Sequence, residues 1–406
     1  MLNRREVVAA MASATLFASM RGVAAQSNDT FRIGALNPIT GVGGAYGTGM
    51  QKMILAAAEE VNAAGGAGGR KLEILAEDDQ SQPQAAVLAA KKLLEIDKVQ
   101  ALIGIWSSGV ALATIPLTND ANAIFMTFGG APEITSPKVN PKKLVYRFNT
   151  TGDGFGRAFA EVCAREGFKR PATMAYNNAS GIGIVEGFKK AWEQKADKVV
   201  ESVVYEPNQP SYRSELQKVL ASKPDVIVMG SYVTDTTIII REWFETGETQ
   251  KWLIPGHAVS ADLIKAAGPE ASEGLMVVNS ISNEASTAFS IYDAAYRKAV
   301  QESGANNIMA AAAWDMLIVL ALALEAAGPN ADIMAINAKI KEISNPPGKQ
   351  VSSFAEGKEA LRSGKINYEG ASSAIDFNEF SDVMPDFDFA VISKGEIARK
   401  YVIKIQ

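Results

Sequence analysis

The hydrophobic positions of this chain fall into short dense runs that alternate with longer stretches of helical spacing. Runs at Phe31–Leu36, Leu72–Glu77, Val99–Ile105, Ala123–Thr127, Val145–Asn149, Pro171–Tyr176, Val199–Tyr205, Val226–Gly230, Trp252–Pro255 and Leu275–Asn279 predict strands. Gly47–Ala63, Gln82–Ile96, Gly109–Ala121, Gly154–Glu166, Gly183–Lys195, Tyr212–Lys223, Thr234–Thr246, Ala288–Ser303, Ala310–Ala327 and Ala331–Ile343 predict helices. Ala101–Ile105 and Val226–Met229 are apolar without alternation, as strands buried on both faces are. Strand, helix, strand, repeated, predicts parallel sheets covered on both sides. There are too many such units for one ordinary sheet, so the expected fold class is α/β with two doubly wound, Rossmann-like lobes. Asn345-Pro346-Pro347-Gly348 marks a loop near the end. Ligands of such sheets collect beyond the carboxyl ends of the strands, so the residues just after each strand carry the chemistry.

The first 25 residues break the pattern. Arg4-Arg5 is basic, Val7 to Met20 is apolar or small, and Val23-Ala24-Ala25 offers small residues before Gln26. That order predicts a secretory signal peptide over residues 1–25. Its adjacent arginines fit a twin-arginine signal only in part. The apolar stretch is shorter than the ~20 residues of a spanning helix. The remainder is long enough for two cores: the chain has 406 residues, 47% of them hydrophobic. A formal net charge of −5 gives no basic excess, which argues against a nucleic-acid partner. The single cysteine, Cys163, cannot make an internal disulfide and sits among Ala160, Val162 and Phe168, as a buried helix residue would.

Motifs in order then become specific. The first strand runs into Asn37-Pro38-Ile39-Thr40-Gly41 and Tyr46-Gly47, and its helix ends at Glu60-Val61-Asn62-Ala63-Ala64-Gly65-Gly66. Gly68-Gly69-Arg70-Lys71-Leu72, Glu77-Asp78-Asp79-Gln80-Ser81, Ser107-Ser108 and Gly129-Gly130-Ala131-Pro132 follow. This series resembles the leucine/isoleucine/valine-binding family of ABC-transporter solute receptors, a branch of the type I periplasmic binding proteins. The similarity runs from about Phe31 to Gln406 and is looser after Ser280. It implies two lobes joined by three hinge strands, with residues 30–149 and 280–384 in the N-terminal lobe and 150–279 and 385–406 in the C-terminal lobe. It also implies a monomer in the periplasm that binds a small-molecule ligand and delivers it to an ABC permease and its ATPase.

On the residues themselves, Ser107 and Ser108 end a strand and open a helix, whose first N–H groups lack internal partners. With a hydroxyl beside them they make a carboxylate cradle, and a plain helix cap is the compatible alternative. The turn Gly129, Gly130, Ala131 is expected to add exposed N–H donors. Tyr46 stands where the amino-acid-binding relatives place an aromatic wall, and Trp106 precedes the serines. Phe155 and Tyr232 are further candidate walls, Ser180 falls near a pocket tyrosine of the relatives, and His257 follows the strand Trp252–Pro255.

The chain departs from the family pattern in two ways that bear on the ligand. The amino-acid-binding members carry a carboxylate in place of His257 and another near Gly152-Asp153. An ammonium buried without an anionic partner costs several kcal/mol, and histidine supplies no anion, though it can donate to a carboxylate and titrate near neutral pH. The expected ligand is therefore a carboxylate without a free α-ammonium, such as an aromatic or a small hydroxy or keto acid. If Asp153 reaches the pocket, an amino acid or amide returns. The disulfide that many relatives form is absent, with Ser81 and Ser107 near those places.

No enzyme constellation is present. His257 is the sole histidine, and no G-x-S-x-G elbow or Walker lysine occurs. One Cys and one His make no zinc pattern, and neither a metal nor a cofactor is expected. Glu77-Asp78-Asp79 reads as a solvated strand end rather than a cation site. A stand-alone ligand sensor of the same fold is the alternative from another functional class.

Overall fold

The computed structural model describes residues 30–404, so the expected signal peptide lies outside the described residues. Fourteen strands are present among them: β1 (Thr30–Asn37), β2 (Lys71–Asp78), β3 (Ala101–Ile105), β4 (Ile124–Thr127), β5 (Val145–Arg147), β6 (Pro171–Tyr176), β7 (Ser202–Tyr205), β8 (Val226–Gly230), β9 (Lys251–Pro255), β10 (Met276–Ser280), β11 (Lys349–Val351), β12 (Ile366–Tyr368), β13 (Phe387–Ser393) and β14 (Glu396–Ile403). The first five form one parallel sheet in the order β2-β1-β3-β4-β5. A separate seven-stranded sheet has the order β14-β13-β10-β9-β8-β6-β7. Its β6–β10 part is parallel, and β13 and β14 add an antiparallel edge. Two doubly wound α/β lobes are thus what the chain builds.

The central strands of both sheets are buried on both faces, as parallel strands require. In β1, Phe31, Ile33 and Ala35 join one apolar cluster and Leu36 another. In β8, Ile227 and Met229 face one side while Val226 and Val228 face the other. The first sheet packs on the helix Ile308–Ala327, which is buried on every side from Ile308 to Leu324. That helix is long and apolar enough to cross a membrane by length and composition, but 94% of its most apolar window is inside the protein. Its buried carboxylate, Asp315, is fully used: Oδ1 accepts from Tyr368 Oη (2.8 Å) and Ala371 N (2.9 Å), and Oδ2 from Ser372 N (2.7 Å) and Ser372 Oγ (2.6 Å). The late segment 368–372 is tied to the first lobe's core by that one side chain.

The chain passes between the sheets after β5, after β10 and before β13. The three passages lie side by side. Arg147 N donates to Ser381 O (2.9 Å), Val383 N to Arg147 O (3.1 Å) and Ile281 N to Asp386 O (2.9 Å). Arg147 itself is completely buried and paired with Asp382 at 2.8 Å. Its other nitrogens donate to Ala131 O and Thr135 Oγ1. A buried guanidinium is tolerated only when it is paired and hydrogen-bonded in this way.

In the second lobe, helices Gly152–Arg165 and Ala179–Trp192 meet through glycines. A Cβ on Gly156 would stand 2.1 Å from the Gly187 carbonyl carbon, and one on Gly152 would stand 2.4 Å from that of Gly183. Only hydrogen at these positions lets the backbones come so close. The contact fixes Phe155, which lies between the two glycines on the first helix. Cys163 is buried on that helix as expected, and burial pushes its thiol far above the usual range.

Candidate functional site

A cavity of about 970 Å³ opens between the two sheets, at the carboxyl ends of their parallel strands. Its first bank begins with Tyr46. Asp78, at the end of β2, accepts from Ile39 N, Thr40 N and Gln80 N through Oδ1 and from Thr40 Oγ1 through Oδ2. Ser81 Oγ accepts from Gly43 N and donates to Thr40 O. So the strand end that sequence reading left to solvent, and the serine standing near a missing disulfide, both pin the loop before Tyr46. Gly43 lies against Trp106, where a Cβ would meet the indole at 2.7 Å.

Ser107 occupies the N-cap of the helix Ser108–Ala121, yet its side chain makes no capping bond. Its hydroxyl is therefore not spent on the helix. Ser108 Oγ accepts from Ala131 N (3.1 Å), which holds the turn after β4 against the helix start. That turn differs from expectation. Gly129 N donates to Thr127 Oγ1 and Ala131 N to Ser108, so two of the three expected donors are already used. Gly130 lines the cavity, while Gly129 and Ala131 are buried behind it.

The second bank carries Phe155, Ser180, Tyr232 and His257. Tyr232 precedes the helix Val233–Glu245, and its N–H donates to Asp235 Oδ1 (3.1 Å). Asp235 also accepts a short hydrogen bond from Tyr205 Oη. Burial pushes the Asp235 carboxyl up to about 6 against those hydrogen bonds. Asn178 Nδ2 donates to the Tyr232 phenol oxygen at 3.0 Å.

The rings of the two banks form one cluster. Tyr46 and Trp106 lie 5.7 Å apart, Trp106 and Tyr232 6.0 Å, Tyr232 and His257 5.7 Å, and Phe155 and His257 5.9 Å. Tyr46 Oη crosses the gap to donate to the His257 carbonyl at 3.0 Å. The lobes are closed on each other at this point.

Burial pulls His257 down to about 4, against a hydrogen bond to the Ser231 backbone that works the other way. The imidazole is therefore neutral at pH 7, with one N–H engaged by Ser231 and the other nitrogen an acceptor. This corrects the expectation of a histidine that titrates near neutral pH and donates to a carboxylate.

Asp153 does not reach the cavity. It points outward and pairs with Lys190 at 3.3 Å. Its neighbours Gly152 and Phe155 line the wall instead. The charged residues that do line the cavity are Lys265, Glu284, Asp388, Glu396 and Arg399. Arg399 is ion-paired with both Glu284 (3.1 Å) and Asp388 (2.5 Å). Sequence reading missed these, and also Asn149, whose Nδ2 donates to Phe128 O. Asn149 closed a predicted strand and gave no separate signal, while the β13–β14 hairpin that carries Asp388, Glu396 and Arg399 was not anticipated. Among the described residues no group of three or more His, Cys, Asp or Glu is placed to hold a metal ion.

Comparison with known proteins agrees with this geometry. A family profile described as periplasmic binding protein matches residues 30–366. The Leu/Ile/Val-binding protein homolog 3 of Brucella melitensis is 25% identical over 334 residues, covering 80% of this chain and 86% of the relative. Among solved structures, a leucine binding protein LivK from Thermotoga maritima superposes with a TM-score of 0.78 at 22% identity, over 92% of this chain and 99% of its own. An ABC-transporter solute binding protein from R. palustris in complex with benzoate gives 0.73 at 21% identity, over 92% and 96%.

Proposed function

The chain belongs to the periplasmic binding protein family, and on that premise we propose that it traps a small organic acid, aromatic acids foremost, for an ABC importer. Members of this family are solute-binding proteins and not enzymes. One observation carries the choice of ligand: Tyr46, Trp106, Phe155, Tyr232 and His257 gather into one aromatic cluster beside the Ser107–Ser108 helix start, while the lining carboxylates Glu284 and Asp388 are already paired with Arg399. An unpaired buried ammonium costs several kcal/mol, whereas a carboxylate can be met by the Ser107 and Ser108 groups at a helix N-terminus. Flat apolar walls suit a ring. The benzoate complex of the R. palustris protein supports the same reading, since its fold is shared.

In this proposal the lobes comprise residues 30–149 with 280–384 and residues 150–279 with 385–406. They close about the three side-by-side passages, and the ligand is held by Tyr46, Trp106, Ser107, Ser108, Gly130, Phe155, Ser180, Tyr232 and His257. The protein works in the periplasm as a monomer and hands its ligand to the permease. The relatives named for leucine, isoleucine and valine favour an amino acid as the second reading.

Calorimetry and thermal shift with benzoate and with leucine separate the two. Benzoate at ~100 times its Kd should add about 2.7 kcal/mol to the folded state. Tight leucine binding with no response to benzoate would remove the organic-acid reading.

A further inference from the structure

We infer that Asn178, behind the cavity wall, fixes the hydrogen-bond polarity of the site, so that the Tyr232–Ser180 pair presents a donor and not an acceptor to the ligand. The inference rests on the proposed reading, in which an acceptor-rich carboxylate occupies the cleft.

Asn178 is the N-cap of the helix Ala179–Trp192 and has extended backbone geometry. Its side-chain oxygen accepts from Gly181 N at 2.8 Å. An amide has one oxygen and one NH₂, so the partner of a backbone N–H must be the oxygen, and the assignment follows from the network. The NH₂ is thereby turned to the Tyr232 phenol oxygen, 3.0 Å away.

An NH₂ group can only donate. Tyr232 must accept from Asn178, and its own proton has to point elsewhere. Ser180 lies against the same phenol oxygen and also lines the cavity. Two arrangements remain. Either Tyr232 donates to Ser180 and Ser180 donates into the cleft, or Ser180 donates to Tyr232 and Tyr232 donates into the cleft. Both end in one O–H aimed at the ligand. The backbone N–H of Gly181 therefore sets the direction of a relay that finishes on the bound solute. The Tyr232 ring is held in place by Trp106, Tyr176 and His257 packed around it, at 6.0, 5.0 and 5.7 Å.

Asn178 is a positioning residue here, since it acts through Tyr232. The test is a double-mutant cycle with benzoate as the probe, using Asn178→Asp, Tyr232→Phe and the pair. Aspartate is as good an N-cap as asparagine, so the helix start is kept. Its second oxygen can only accept, so it draws the Tyr232 proton, Ser180 donates to the phenol oxygen in turn, and the reversed relay presents an acceptor to the ligand.

The expected result is a loss of benzoate affinity of at least about tenfold for Asn178→Asp in the native background, the scale of a lost hydrogen bond to a charged group. In the Tyr232→Phe background the same change should cost no more than about twofold, because the relay is already gone. An equal loss in both backgrounds would mean that the new charge acts directly on the ligand, and no loss would mean that the relay is irrelevant. Either result overturns the inference.

Asn178→Ser keeps the cap without adding charge and should weaken benzoate less than Asn178→Asp does. A larger loss for the serine variant also counts against the relay. If the native protein takes leucine and ignores benzoate, the organic-acid reading fails by itself. The same cycle with leucine, whose carboxylate needs the same donor, then still decides the polarity.

Discussion

Replacing Tyr46 with phenylalanine tests whether closure of the cleft is held in part by the protein's own groups. The substitution removes the hydroxyl that donates to the His257 carbonyl across the gap and leaves the ring against Trp106. In the open form both the hydroxyl and the carbonyl are hydrated, so closure exchanges water bonds for this one. The net worth of such an exchange is about 0.5–1.5 kcal/mol. Ligand affinity includes the free energy of closing, so Tyr46→Phe should raise the Kd for benzoate by about 2–13-fold. Most of that change should appear as faster dissociation, since encounter takes place with the open form. The melting temperature should hardly move, because each lobe keeps its own core. Small-angle scattering of the unliganded variant should give a larger radius of gyration than the native protein. An unchanged Kd together with an unchanged radius would show that the inter-lobe bond contributes nothing, and the reasoning would fail.

The remaining predictions concern pH and packing. His257 is held at about 4 in the folded protein against an ordinary 6.5, so the unfolded chain binds the extra proton first as pH falls. Native stability should therefore drop by about 3 kcal/mol relative to His257→Gln between pH 6.5 and 4, and chemical denaturation at several pH values measures the difference. The comparison must be made between the two proteins. Asp79, Asp235 and Asp315, each raised to about 6, gain stability over the same interval and mask the trend in either one alone. A His257→Gln profile parallel to the native one would contradict the assignment of a neutral buried imidazole. Gly156→Ala forces a Cβ to 2.1 Å from the Gly187 backbone, so the two helices must part. A loss of about 1–3 kcal/mol in urea unfolding is expected, with weaker benzoate binding because Phe155 shifts; unchanged stability would mean that the helix contact is looser than the glycines imply.

Much of this architecture was legible because burial on both faces leaves a strong trace. Pro171–Tyr176 and Val226–Gly230 were placed to the residue, since continuous apolar runs between turn signals have few other uses. β13 and β14 left no such trace. Glu396–Ile403 lies at the sheet edge with most positions exposed, and its polar composition resembles a loop. The short helix Phe354–Ala360 was missed because seven residues give too little periodicity.

At the site, Ser107, Tyr46, Tyr232 and His257 could be named because they follow strands. The fate of each hydrogen bond could not be read. Whether the Gly129 N–H is free depends on Thr127 Oγ1, and whether Asp153 faces in or out depends on a one-residue step along a helix. Those are matters of side-chain direction, which strand and helix patterns do not encode.

Asp315 carries a consequence for how the unfolded chain would meet a membrane. The helix Ile308–Ala327 has 20 residues, and in an unfolded polypeptide it would offer a bilayer a segment of the right length and oiliness to lodge in. A carboxylate near the middle of such a segment adds about 2.5–3.5 kcal/mol against insertion. The residue that gathers Tyr368, Ala371 and Ser372 in the fold thus also weighs against a bilayer as the helix's resting place. One acidic side chain in an oily segment both ties the core together and makes lipid the poorer solvent for it.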